Sequence, residues 1–181
     1  CTGFIGKVLL EKILRSIPNI GKIYLMVRGK RHQGPHKRLM QILESECFSK
    51  CKEIMGTDQF FKYALEKIEP IQGDLMQESC GLSAEDKLLI TSTVQIIINS
   101  AASVSFDDSL HDSINMNYLG SMRMLDLAKS TKNILSYCHV STAYVNCNQP
   151  NETIIDEEIY DKDQDVERLV SKYINMSPLE I

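Results

Sequence analysis

Apolar residues recur at helical spacing directly after Gly6, with Val8, Leu9, Leu10, Ile13 and Leu14 set against Lys7, Glu11, Lys12 and Arg15. That period predicts an amphipathic helix. Pro18-Asn19 and Gly21 close it in a turn, and residues 22–27 continue as an unbroken apolar run of strand length, which predicts a strand buried on both faces. From Pro35 to Phe61 the period is helical again, with Leu39, Met40, Ile42 and Leu43 opposite Lys37, Arg38 and Glu44; this stretch is expected to decorate the sheet edge without chemistry of its own. Residues 64–69 lead into Pro70-Ile-Gln and a Gly73-Asp74-Leu75 turn. Ser83, with Asp86 three residues on, has the form of a capping box opening another helix. A second apolar strand spans residues 94–98, and residues 107–131 form the longest periodic segment, in which Ile114, Tyr118, Met122 and Leu125 share one face. That stripe predicts core, although Asn115 and Asn117 sit inside it despite poor helix propensity. A last strand at 134–140 delivers Ser141-Thr142 to its end. Beyond Asn146 the chain turns polar and acidic, with a short helix expected from Val166 to Tyr173.

Strands alternating with helices predict an α/β fold with a doubly wound parallel sheet, Rossmann-like in plan. At 181 residues the chain is long enough for one such domain. Residues 1–149 read as one such domain and 150–181 as the start of a further region. Twenty basic and 24 acidic residues give a net charge of -4 without a basic stripe, which argues against nucleic acid as a partner. No apolar run approaches the roughly 18 residues that span a bilayer. Of six cysteines, Cys47 and Cys51 lie near His32 and His36, but Gly34-Pro35 separates the histidines and neither spacing suits zinc. The scattered Cys80, Cys138 and Cys147 read as reduced thiols.

The candidate chemistry lies at the ends of the predicted strands. Gly3 and Gly6, with Phe4 and Ile5 between them, open the first helix; a glycine turn there lets the backbone approach a pyrophosphate, and the helix N-terminus offers free N–H groups to the anion. Arg28 ends the next strand, 22 residues beyond Gly6, where a dinucleotide fold meets the adenosine ribose. An arginine there suits the 2′-phosphate of NADP, and Lys30 and Arg31 add positive potential; a solvated basic turn has the same appearance. Asp74 has two readings, a carboxylate bordering adenine or an ordinary Gly-Asp turn. Ala101 and Ala102 come after a strand and carry small side chains, as a coenzyme lying flat across the sheet requires. Thr142 is placed either to hydrogen-bond a substrate carbonyl or to satisfy local backbone.

Five ordered segments, residues 2–12, 23–28, 73–75, 101–107 and 139–146, resemble the NADPH-binding half of a fatty acyl-CoA reductase, the male-sterility-type branch of the extended short-chain dehydrogenase/reductases. The resemblance covers most of the chain to about Val145. It implies that Gly3, Phe4, Ile5 and Gly6 hold the pyrophosphate, Arg28 the 2′-phosphate, and Asp74 and Leu75 the adenine side. Ala101 and Ala102 would flank the nicotinamide, Thr142 would be the active-site hydroxyl, and Asn117 matches an asparagine of the active-site helix. The implied reaction is reduction of a long-chain fatty acyl-CoA by NADPH, through an aldehyde, to a primary alcohol. The implied setting is the peroxisomal membrane on its cytosolic face, or else the endoplasmic reticulum, with any membrane anchor outside this segment. The alternatives are a thioester reductase domain of a carrier-protein pathway and a non-catalytic NADP-binding module.

The family also carries a Tyr-x-x-x-Lys pair. Tyr144, Tyr160 and Tyr173 each lack a lysine four positions on, and the pair is expected to lie outside these residues. The first strand and first glycine of the fingerprint are missing as well. The segment is therefore expected to be a fragment, poorly soluble and inactive alone, with a break at the centre of its sheet.

Overall fold

The computed structural model describes residues 2–29, 33–158, 160 and 165–176. Cys1, Lys30, Arg31 and His32, on which parts of the glycine-turn, basic-turn and zinc readings rest, lie outside the described residues.

Helix α1 (Phe4–Ser16) begins at Gly3, whose backbone is extended, and buries Gly6, Leu10 and Leu14 on one face. It turns through Pro18 into strand β1 (Ile23–Val27). Helices α2 (Pro35–Glu44), α3 (Ser49–Met55) and α4 (Thr57–Lys67) come next, and α4 runs directly into β2 (Ile68–Gln72). The strands β1 and β2 pair in parallel, Leu25 opposite Pro70 and Val27 opposite Gln72. Pro70 has no N–H to give, and it occupies a strand whose one partner is β1, where a missing donor is tolerated.

The second half repeats the plan. Helix α5 (Ala84–Thr93) opens on the expected capping box: Ser83 Oγ accepts from Asp86 N at 3.0 Å and donates to Asp86 Oδ2 at 2.8 Å. Strand β3 (Ile96–Asn99) pairs in parallel with β4 (Ser136–His139), Asn99 opposite His139. Between them a continuous helix comprises α6 (Leu110–Ser113), a π-helical stretch (Ile114–Leu119) and α7 (Gly120–Lys129). A short helix, α8 (Val166–Ile174), begins at Asp165, which caps Arg168 N.

Among the described residues the sheet is two separate parallel pairs, β1-β2 and β3-β4, with no strand hydrogen bonds joining them. The expected break is therefore present. Two apolar clusters organise the halves. One joins Leu10, Leu14, Leu25, Val27, Leu39, Leu43, Phe48, Phe60 and Ile68, so α1 to α4 cover one face of β1-β2. The other joins Ile71, Leu75, Ile90, Ile97, Met124 and Leu127, so α5 and α7 lie against both strand pairs. The opposite face of β3 exposes Ile96 and Ile98.

The segment from Pro35 to Phe61 departs from expectation. It is no decoration: Phe48 and Phe60 are fully buried, their ring centroids 5.7 Å apart, and with Leu39 and Leu43 they supply much of the first core. Each such ring contributes about 1.5–3 kcal/mol by leaving water. The sequence period shows one helix face but not the long-range partners that make it core.

Candidate functional site at the carboxyl ends of the strands

Strands β1 and β2 end side by side, and the turns beyond them enclose a cavity of about 110 Å³ lined by Arg28, Gly29, Gln72, Gly73, Asp74, Gln77 and Gly81. Gly73 N donates to the Val27 carbonyl at 3.1 Å, which continues the pairing past the strand ends. A Cβ on Gly73 would stand 2.7 Å from Met26 Cγ and 3.0 Å from the Cys80 carbonyl, so any larger residue would have to displace the Met26 side chain. Arg28 is exposed at the rim, and its carbonyl accepts a bond from Arg38 Nη1, which brings a second guanidinium beside it.

Asp74 forms the ordinary turn and also lines the cavity: its Oδ1 accepts from Met76 N at 3.1 Å, as in an Asx turn. The loop behind it is strained: Ser79, Cys80 and Gly81 stand consecutively at φ of 50°, 59° and 61°. A non-glycine residue in that region costs about 1–2 kcal/mol. The loop is held by Asp74 N to Cys80 O at 2.7 Å, Gln77 N to Asp74 O at 3.0 Å and Cys80 N to Gln77 O at 3.1 Å. Backbone held so far from its preferred wells concentrates at binding sites. The buried Leu75 lies beneath this turn in the second core.

At the ends of β3 and β4 the polar side chains grip backbone. Asn99, which is buried, accepts from Ala101 N through Oδ1 at 3.2 Å and places Nδ2 3.2 Å from His139 Nδ1. An amide nitrogen only donates, so in this pair His139 Nδ1 is placed as the acceptor. Asn117 accepts from Ser103 N at 2.8 Å and donates to the Ser103 carbonyl at 3.0 Å. The Ala101-Ala102 turn is thus fixed on both sides, and Ala102 itself is exposed. The π-helical stretch explains how asparagines sit in this helix: the wider turn presents Asn117 to the loop, and such insertions mark functional sites. Thr142 is exposed, and its Oγ1 accepts from Tyr144 N at 3.2 Å. A hydroxyl that accepts one bond still has its own proton to donate.

Helix α1 runs back against the sheet. Its last turn lies at the amino ends of β1 and β2, where Tyr63 Oη donates to the Leu14 carbonyl and Lys67 Nζ to the Ile20 carbonyl. The N-cap of α1, Gly3, supplies no side-chain bond, a Cβ there would meet nothing within 4 Å, and Phe4 and Ile5 are exposed. Among the described residues no side chain caps the first N–H groups of this 13-residue helix.

Tyr63 and Lys67 also correct the sequence reading. Tyr63-Ala-Leu-Glu-Lys67 does carry the Tyr-x-x-x-Lys spacing that is expected to lie outside these residues. The structure gives it a packing role at the opposite end of the sheet from Arg28 and Thr142: both polar tips bind backbone carbonyls, and burial pushes the Tyr63 hydroxyl above its ordinary pKa.

Among the described residues no group of three or more His, Cys, Asp or Glu side chains is arranged to hold a metal ion. Cys51 instead lies against Glu11, its Sγ 3.5 Å from Oε1, and burial raises its pKa to about 11. The hydrogen bond from Arg15 Nε, at 2.6 Å, holds the Glu11 carboxyl below its usual value.

A helix N-terminus, an arginine and a carboxylate lining one cavity at adjacent strand ends, and a turn of small residues beyond β3 are the kinds of group a dinucleotide site requires. The fold is Rossmann-like, of the class that binds dinucleotides at the carboxyl ends of its strands. Residues 1–177 match the family model described as NAD_binding_4, male sterility protein, and the chain belongs to that family. It is similar to fatty acyl-CoA reductase 1 of Mus musculus, 38% identical over 169 residues, covering 93% of this chain and 31% of that protein. Human fatty acyl-CoA reductase 2 is 39% identical over 159 residues, covering 88% of this chain and 29% of that protein. The chain thus spans about a third of the length of the curated relatives it matches. Among solved structures it resembles the terminal R domain of the myxalamid PKS-NRPS pathway, with a TM-score of 0.62 and 28% identity over 80% of this chain and 33% of that one. The reductase domain of a nonribosomal peptide synthetase from Mycobacterium tuberculosis also gives a TM-score of 0.62, at 26% identity, covering 81% of this chain and 32% of that one.

Proposed function

We propose that the whole protein reduces a long-chain fatty acyl-CoA to a primary alcohol with NADPH, and that this chain supplies the coenzyme-binding half and one active-site hydroxyl. The observation that carries the reading is the cavity where Arg28 and Asp74 meet at adjacent strand ends. Each bound NADPH would supply one hydride: the first to the thioester carbonyl carbon, with loss of the CoA thiol, and the second, after NADP has exchanged for a second NADPH, to the aldehyde. Arg28 grips the 2′-phosphate with its planar fork, and Arg38 beside it adds positive potential. The second oxygen of Asp74 takes the adenine side, and the first turn of α1, from Gly3 to Gly6, receives the pyrophosphate. Ala101 and Ala102 leave room for the nicotinamide. The Thr142 hydroxyl, anchored by Tyr144 N, donates to the carbonyl oxygen as negative charge grows there. Asn117 acts at one remove, fixing the Ser103 backbone.

The cellular setting belongs to the same proposal. A peroxisomal membrane, or else the endoplasmic reticulum, suits lipid biosynthesis from acyl-CoA. No helix among the described residues is long and apolar enough to cross a membrane, so attachment would use other parts of the protein.

Likeness to the reductase domains of peptide synthetases favours a second reading, reduction of an acyl thioester held on a carrier protein. One experiment separates the two: NADPH consumption by the whole protein with a long-chain acyl-CoA or with the same acyl group on a phosphopantetheinyl carrier protein. Turnover of the free CoA ester supports the first reading. Turnover of the carrier-bound ester alone supports the second.

A further inference from the structure

One dinucleotide has to meet both the turn after β2 and the turn after β3. Helix α7 and the π-helical stretch before it bridge them. Gly120 lies so close to the Asp74-Leu75 turn that a Cβ would stand 3.0 Å from Leu75 Cβ and 3.4 Å from the Leu75 carbonyl oxygen. One turn further on, Arg123 is half-buried, and its Nη1 donates to the Leu75 carbonyl at 2.7 Å, to Asn115 Oδ1 at 3.0 Å and to the Asn115 carbonyl at 3.3 Å. Among the described residues Arg123 makes no ion pair. Its charge is spent on neutral oxygens, which makes these bonds stronger than neutral ones. Two residues beyond Asn115, Asn117 holds Ser103 by both ends of its amide. A single side chain therefore ties the turn after β2 to the helix segment that fixes the turn after β3.

Resting on the coenzyme reading above, we infer that Arg123 is a positioning residue that sets the register between the adenosine and nicotinamide halves of the site. Neither half needs Arg123 to exist. The Asp74 turn is closed by its own bonds from Asp74 N, Met76 N and Gln77 N, and the Ser103 turn by Asn117. What Arg123 adds is their mutual placement. Two halves of one ligand reinforce each other only while the geometry lets both engage together.

The test compares 2′,5′-ADP, which reports the adenosine half alone, with NADPH, which reports both, by titration calorimetry on the whole protein. In Arg123→Met, NADPH affinity should fall about tenfold or more, the loss expected for a charged hydrogen bond, while 2′,5′-ADP changes by less than about threefold. Arg123→Lys should restore part of the NADPH affinity. Gly120→Ala, which pushes α7 off Leu75 without touching Arg123, should reproduce the pattern and serves if Arg123→Met fails to fold. Equal weakening of both ligands, or no change in either, would overturn the inference. Wild-type protein that binds neither ligand would instead defeat the coenzyme reading itself.

Discussion

Asn117 holds Ser103 by both of its backbone polar groups, accepting from N–H at 2.8 Å and donating to C=O at 3.0 Å across fourteen residues of sequence. The pair fixes the turn that carries Ala101 and Ala102. Asn117→Ala should therefore lower kcat of the whole protein about tenfold while leaving 2′,5′-ADP binding unchanged, since each lost bond costs about 0.5–1.5 kcal/mol of placement. Asn117→Asp should be no better, because a carboxylate cannot donate to the Ser103 carbonyl. Steady-state kinetics beside a binding titration checks both.

Thr142 is the hydroxyl argued to act on the substrate. Thr142→Val should lower kcat by roughly tenfold to a thousandfold with little change in KM, because the bond matters most as charge develops on the carbonyl oxygen. Thr142→Ser keeps both the donor and the acceptor for Tyr144 N and should be mild. An unchanged kcat in a folded valine variant would leave Thr142 as a turn residue and move attention to Ser141.

On the proposed reading, coenzyme choice rests on Arg28. Arg28→Ala should weaken NADPH by about 1.5–3 kcal/mol and leave NADH nearly unchanged, since only the first carries the 2′-phosphate. Equal losses, read by titrating both coenzymes, would show that Arg28 supports the fold.

Cys51 gives a pH signature. Its thiol is raised from the ordinary value of 9.0 to about 11 by burial and by Glu11. The folded state therefore favours the protonated thiol. The stability this contributes is complete below pH 9, the unfolded value, and is lost as pH rises toward 11. Glu11 acts with opposite sense: its carboxyl is held low by Arg15, so its contribution is present above the ordinary carboxyl range and lost as pH falls through the depressed value. Urea unfolding across pH should show Cys51→Ala flattening the alkaline limb and Glu11→Gln the acid limb.

Much of the fold and site is legible in the sequence because it is local. The helix after Gly3, the strand ending at Arg28, the Ser83 capping box and the delivery of Thr142 by β4 each depend on a short window of residues. What escapes is long-range. Arg38 reaches the Arg28 carbonyl across ten residues and Arg123 the Leu75 carbonyl across 48, and no period announces either. Gln77 and Gly81 line the cavity only because a left-handed loop folds back on Asp74. Asn115 and Asn117 do stand out as poor helix formers, and the cause is the π-helical stretch with its bonds to Arg123 and Ser103. Tyr63 and Lys67 make the converse case, a catalytic spacing that the fold spends on packing.

The most direct test of the proposed activity is the ratio of NADPH oxidised to CoA thiol released when the whole protein acts on a long-chain acyl-CoA. Reduction of a thioester through the aldehyde to the alcohol consumes two hydrides for each thiol freed, so the predicted ratio is two, with NADH a poor substitute and Arg28→Ala erasing the preference. NADPH loss that does not depend on acyl-CoA, or no NADPH loss at all from folded protein, would contradict it.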